Sequence, residues 1–240
     1  IASNIKSLSF QRYSQLQIIG NSSFSNLEIK EIVFPSSVTH IGEKAFSNSA
    51  HLKSINFPKD SELRSISKNA FYSSNISTLY IPPKFELFEE DWCSNTINLE
   101  TIYISDENPN FKYSDESNQI IIGKSNPSNS TFDLLIFVSP YLRELIIPST
   151  IKRAGCCTFH DNLLGVIFEG KSSLEIIEKN AFSSFIDINI IPNNFTIPSS
   201  VKYIGGFSSL PAKRFNNIIS AENPNFKYID DSTILGKSDP

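Results

Sequence analysis

The chain of 240 residues contains no methionine, three cysteines, one tryptophan and no apolar run near the roughly 18 residues that a membrane-spanning helix requires. Its longest apolar stretches, such as Leu134–Val138, are strand-sized, so no bilayer crossing by this segment is expected. A chain that opens on Ile1 without any methionine is expected to be a piece of a longer protein, with a signal peptide or anchor free to lie outside it. Cys93, Cys156 and Cys157 make an odd count, and adjacent cysteines rarely bridge each other because the geometry is strained; no disulfide framework is expected. A basic field is missing as well. The formal charge is −4, the pI is near 5.5, and Lys and Arg are scattered singly apart from two isolated pairs, which leaves no footprint for nucleic acid and no polybasic patch for a membrane surface.

What is present is 40% hydrophobic and 12% aromatic content, enough to offset the entropy of folding and to set disorder aside. Four N-x-Ser/Thr triplets, at Asn21, Asn75, Asn129 and Asn194, fit a secreted glycoprotein, although a chain rich in Asn and Ser produces such triplets by chance.

The dominant signal is internal repetition. IKEIVFPSSVTHIGEKAF at 29–46, LKSINFPKDSELRSISKNAF at 52–71 and VKYIGGF at 201–207 share one pattern, and Pro35, Pro58 and Pro82 lie 23 and 24 residues apart. Ala45-Phe46, Ala70-Phe71 and Ala181-Phe182 close their units, with Phe24, Trp92, Phe159 and Phe207 in equivalent places of looser copies, which makes seven units. In IKEIVFP, Ile32 and Phe34 alternate with Glu31 and Val33, a period of two that marks a half-buried strand. Proline then removes the next backbone donor and the strand stops. Val38 and Ile41 point a second extended segment inward, Gly42 or Gly205 allows a turn, and the segment carrying Ala-Phe is too short for more than a helical turn that plugs the far wall. One unit cannot enclose these residues; stacked units can, each strand pairing with the next at about 4.8 Å. A β-sandwich has no reason to repeat Pro, Ile and Ala-Phe at matching offsets. The fold class predicted is a leucine-rich-repeat-type solenoid: a β-rich α/β superhelix with parallel strands, short helical turns and β-hairpin insertions, forming one domain over 1–240.

The heptad ENPNFKY occurs twice, at 107–113 and 222–228, each time after an apolar strand end and before an apolar-GKS-x-Pro string. It marks a hairpin insertion within a unit, near 106–133 and again near 221–240, built in the first copy from Phe111–Tyr113 and Gln119–Ile122 around the turn Asp115-Glu116-Ser117-Asn118. The insertion either projects from the stack or extends its sheet. The second copy stops mid-unit at Pro240, consistent with a longer array, and an apolar solenoid end without a cap is expected to pair end to end.

The unit IxFPxSVxxIGxxAF with its ENPNF companion resembles the BspA-like leucine-rich repeats of bacterial and protist surface proteins. The resemblance covers most of the chain; residues 76–104, 185–198 and 208–221 depart from the pattern, and bulges are expected there. It implies a right-handed curved solenoid, a cell-surface or secreted location, adhesion or binding to a host surface or matrix protein or a glycan, and no catalysis.

Chemical motifs are weak by comparison. Gly123-Lys124-Ser125 is not a phosphate loop, because the position that would carry the loop's first glycine is Asn118. Cys156, Cys157 and His160 fall short of a four-ligand zinc site and lack an orienting partner for nucleophilic work, so no metal or cofactor is expected. Glu89-Glu90-Asp91 and Asp230-Asp231 read as solvated turns. The candidate binding surface is the outward row of the first strands: Glu31, Val33, Ser54, Asn56, Thr78, Tyr80, Thr101, Tyr103, Glu144 and Ile146, with Tyr80 beside Tyr103 either as a hot spot or as a stacked pair bracing adjoining strands. The functional reading is a non-catalytic recognition module; the alternatives are an intracellular scaffold of the same fold and a hydrolase grafted on the array.

Overall fold

The structure, a computed structural model, describes residues 5, 7–11, 13–156, 158–160, 162–181, 196–205, 223–230 and 233–236. In chain order its first strands are β1 (Ile18–Ile19), β2 (Glu31–Val33), β3 (His40–Ile41), β4 (Ser54–Asn56), β5 (Ser65–Ile66), β6 (Thr78–Ile81), β7 (Leu87–Phe88) and β8 (Thr101–Ile104). The even members pair in parallel as β2-β4-β6-β8 and the odd members as β1-β3-β5-β7, so consecutive strands belong to different walls of one coil. After an insertion of β9 (Phe111–Tyr113), β10 (Ile120–Gly123) and β11 (Leu134–Val138), parallel pairing resumes through β12 (Glu144–Ile147), β13 (Arg153–Ala154), β14 (Gly165–Phe168), β15 (Ile176–Ile177) and β16 (Tyr203–Ile204). An antiparallel pair, β17 (Phe226–Asp230) and β18 (Thr233–Gly236), is the last described element. The architecture is a parallel β-solenoid of about seven turns.

The inward letters of the two most regular units are buried. Ile32, Phe34, Val38, Ile41 and Phe46 lie inside with their counterparts Ile55, Phe57, Leu63, Ile66 and Phe71 one turn on. Full burial of each such side chain is worth about 1.5–3 kcal/mol, which no isolated unit could collect. The closing phenylalanines stack along the axis: Phe24 on Phe46 and Phe46 on Phe71, each with centroids 5.6 Å apart, then Phe71 edge-on to Trp92 at 6.2 Å. Phe182 and Phe207 lie outside the described residues.

The third wall corrects one expectation. No helix occurs among the described residues; the Ala-Phe segments are chains of turns. Ser22 and Asn26, Lys44 and Asn48, Asn69 and Ser73, and Asp91 and Asn95 all have positive φ, a left-handed residue every fourth position that an α-helix cannot absorb. The backbone donors are also divided. Ala45 and Ser47 donate to the local carbonyls of Gly42 and Lys44, whereas Phe46 and Asn48 donate to Ala70 and Tyr72 of the next unit. Half the hydrogen bonds therefore run along the solenoid axis and lock turn to turn, which a helix would forbid.

The insertion is built into the stack. β10 pairs antiparallel with β9 and with β11, and β11 pairs in parallel with β13, so the hairpin extends the second wall. Both of its faces are buried: Phe111, Ile121, Ile136 and Phe137 pack into the core of the preceding units, and Ile120, Ile122, Leu135 and Val138 into that of the following ones. It forms a partition across the hydrophobic column. Register shifts fall at Ile121/Ile122 and at Tyr228/Asp230, whereas the irregularly spaced segment 76–104 joins both ladders without one. Segments 185–195 and 208–221 lie outside the described residues.

Candidate binding face

The outward row of the first strands is set by parallel register. Glu31 pairs with Ser54 and Val33 with Asn56; Thr78 pairs with Thr101 and Tyr80 with Tyr103; Glu144 and Ile146 pair with Gly165 and Ile167. Exposure along the row is uneven. Glu31, Val33, Asn56, Tyr103, Glu144 and Ile146 are exposed, while Ser54, Thr78, Tyr80 and Thr101 are half-buried. Tyr80 packs against the core and is half-buried, whereas Tyr103, its register partner, is 56% exposed. The row comprises two sheets, β2-β4-β6-β8 and β12-β14. At their junction the Ser139 hydroxyl donates to the Glu100 carbonyl at 3.1 Å, and the Glu100 carboxylate, hydrogen-bonded to the Tyr141 phenol, holds that phenol above its usual range. Tyr141 and Ile167 add exposed apolar surface that the outward-letter pattern did not single out. Ile167 could have been found by extending the period through GVIF at 165–168; Tyr141 precedes its strand and carries no such signal.

The ENPNF motif resolves into a clamp. Asn108 is buried and spends its whole amide: Nδ2 donates to the carbonyls of Pro82 (2.7 Å) and Phe85 (3.0 Å), and Oδ1 accepts from the backbone of Asn110 (2.8 Å) and Phe111 (3.0 Å). Asn110 adds a bond from Nδ2 to Phe85 at 3.2 Å. The second copy does the same, with Asn223 Nδ2 on Pro198 and Val201 and Asn225 Nδ2 on Val201. Each heptad therefore seals the corner where a Pro-x-x-apolar turn leaves its carbonyls facing inward. Tyr113 completes the first copy, accepting from Ile104 and donating to Ile102, with burial pushing its phenol up.

Gly123-Lys124-Ser125 is likewise structural. A Cβ on Gly123 would meet the Phe111 ring at 2.7 Å, Lys124 lies over the Phe132 ring, and Ser125 is held through its amide and hydroxyl by the buried Asp133.

The acidic run 89–91 is solvated at Glu89 and Glu90, as expected, but departs from expectation at Asp91, which is buried, and all three side chains tie units together. Glu89 accepts from the Lys68 amide, Glu90 pairs with Arg153 at 2.9 Å, and buried Asp91 accepts from Asn180 at 2.9 Å. Arg153 also bonds Glu178, whose carboxyl burial pushes above the usual carboxylate range while the guanidinium pulls the other way. Glu89, Glu90, Arg153 and Glu178 line a cavity of about 350 Å³ with Phe88 in its lining. Arg153 reaches two of its three carboxylates, Glu90 and Glu178, as ion pairs. Of the other acidic pair, Asp230 ends β17 and Asp231 lies outside the described residues. Among the described residues no cluster of three or more His, Cys, Asp or Glu could hold a metal ion, and no helix is long and apolar enough to cross a membrane.

The BspA type leucine rich repeat region matches residues 2–121 and 129–236, in six copies. The chain belongs to this family. No curated protein matches this BspA-type chain. Among solved structures, the pneumococcal vaccine antigen PcpA superposes with a TM-score of 0.64 at 23% identity over 82% of this chain and 52% of its own. A leucine rich cell surface protein from Faecalibacterium prausnitzii superposes with a TM-score of 0.50 at 16% identity over 83% of this chain and 65% of its own. The BspA-type chain thus spans about half the length of the first and just under two thirds of the second, and what the three share is the fold.

Proposed function

We propose that this BspA-type segment is a non-catalytic recognition module, displayed at a cell surface or secreted, that binds a protein partner across the outward row of β2-β4-β6-β8 and β12-β14. The observation that carries the reading is the row itself. Val33, Tyr103, Ile146 and Ile167 expose large apolar side chains on short, hydrogen-bonded strands, flanked by the polar Glu31, Asn56, Thr78, Thr101 and Glu144. Rigid apolar anchors inside a polar surround are the composition of a binding hot spot. The solenoid is read as one domain carrying insertions near 106–133 and 221–240, wound right-handed as parallel crossovers are in about 98% of cases. Surface display is supported by the family and by relatives described as a vaccine antigen and a cell surface protein.

The test is a binding assay of the purified segment against solubilised host-membrane and matrix proteins, beside a Tyr103→Ala/Ile146→Ala/Ile167→Ala variant. Loss of three such anchors should weaken binding by about 30-fold or more. A variant that keeps its partners at parental affinity would refute the face, and partners found only among cytosolic proteins would favour an intracellular scaffold.

A further inference from the structure

The sequence gives no reason to couple Cys93 with the Cys156-Cys157 pair, yet the fold brings Cys93 and Cys156 together. Cys93 sits in the turns after β7 and Cys156 in the turns after β13, 63 residues later. Both are buried in the same hydrophobic cluster, and their Sγ atoms are 3.1 Å apart. That is about 1 Å beyond a covalent S–S bond of about 2.05 Å. The approach is not confined to one pair of atoms. Asn180 reaches both Asp91 (2.9 Å) and Ser94 (3.2 Å), and Arg153 reaches Glu90, so the backbones that carry the two cysteines are braced on either side.

We propose that Cys93 and Cys156 form a disulfide that links the units before the partition to those after it. The reaction is a two-electron oxidation. One thiolate attacks a sulfur of a low-molecular-weight disulfide such as oxidised glutathione and expels one glutathione thiolate. The second cysteine then attacks the mixed disulfide and expels the other, so that two protein thiols become one S–S bond and the oxidant becomes two glutathione thiols. Because both sulfurs are buried, this exchange requires the chain while it is folding, before the turns close. Once closed, the same burial shields the bond from reductants. The proposal rests on the solenoid geometry and is independent of where the chain resides, although it gives a surface or secreted protein a covalent staple that a reducing compartment would keep open.

The experiment refolds the full segment from denaturant with a reduced/oxidised glutathione mixture and counts thiols by iodoacetamide labelling in denaturant without reductant. The expected result is one labelled cysteine of the three, Cys157, rising to three after reduction. Fragmentation of the cross-linked peptides should place the bond on Cys156. A Cys157→Ser variant should retain the cross-link and label at no position, which also serves if a Cys93 or Cys156 variant folds poorly. Three labelled cysteines after oxidative refolding, or a bond mapped to Cys157, would overturn the assignment. A bond that forms in vitro but is absent from protein taken from its native cells would leave the pairing standing and argue against surface display.

Discussion

Substituting Asn108 by alanine removes four hydrogen bonds made by one buried side chain, and the structure indicates which of them matter. The Pro82 carbonyl keeps the amide of Phe85 and the Phe85 carbonyl keeps Asn110 Nδ2, so both acceptors retain a partner. The amides of Asn110 and Phe111 lose the Oδ1 that each uses. Leaving two buried donors short at about 1–3 kcal/mol each gives an expected loss of about 2–6 kcal/mol, against a typical domain stability of about 5–15 kcal/mol. Urea unfolding followed by circular dichroism reads this as a fall in midpoint at constant slope. Asn108→Asp sharpens the test. It keeps the acceptor for both amides but turns an oxygen towards the carbonyls of Pro82 and Phe85, so it should be destabilised at neutral pH and recover on acidification, when the carboxyl regains a donor. An Asn108→Ala midpoint indistinguishable from the parent, or an aspartate as stable as asparagine at pH about 7, would show that the clamp is not what the heptad is for.

Two further perturbations probe other parts of the same argument. A Cβ on Gly42 would stand 2.9 Å from both the Asn21 amide nitrogen and the Ile19 carbonyl oxygen, so Gly42→Ala should cost about 1–3 kcal/mol, whereas Gly20→Ala meets nothing within 4 Å and should stay within about 0.5 kcal/mol in the same urea assay. Burial raises the Glu178 carboxyl above its ordinary 4.5, so the folded state holds that proton more tightly than the unfolded chain. Its contribution is full below the unfolded value and is lost as pH rises through the folded one; Glu178→Gln should remove that decline from a pH series of unfolding midpoints, and an unchanged slope would refute it.

The repeating core was legible because every inward letter recurs at the same depth: Ile32, Phe34, Val38, Ile41 and Phe46 are one pattern written several times, and periodicity needs no knowledge of partners. The sequence around Ala45-Phe46 predicts a helical turn because its letters say nothing about hydrogen bonds made to the next unit. Gly42 was read as a turn residue, but its φ is ordinary and its need is the close approach of Asn21. The insertion's burial on both sides was present in the letters, since Ile120-Ile121-Ile122 and Leu134–Val138 are apolar without alternation, the mark of a strand covered on two faces. Long-range ties were not legible. Asp91 looks solvated until Asn180 is placed against it, and Cys93 looks solitary until 63 intervening residues fold away.

The hairpin that closes the column with a greasy face to each side also changes how the array comes apart. A plain stack of units frays from an open end, each lost coil exposing the next to water. Here β10 and β11 act as a bulkhead: flooding of the first compartment leaves Ile120, Ile122, Leu135 and Val138 still seated in the second, so unravelling that starts upstream meets a sealed wall in place of another open coil.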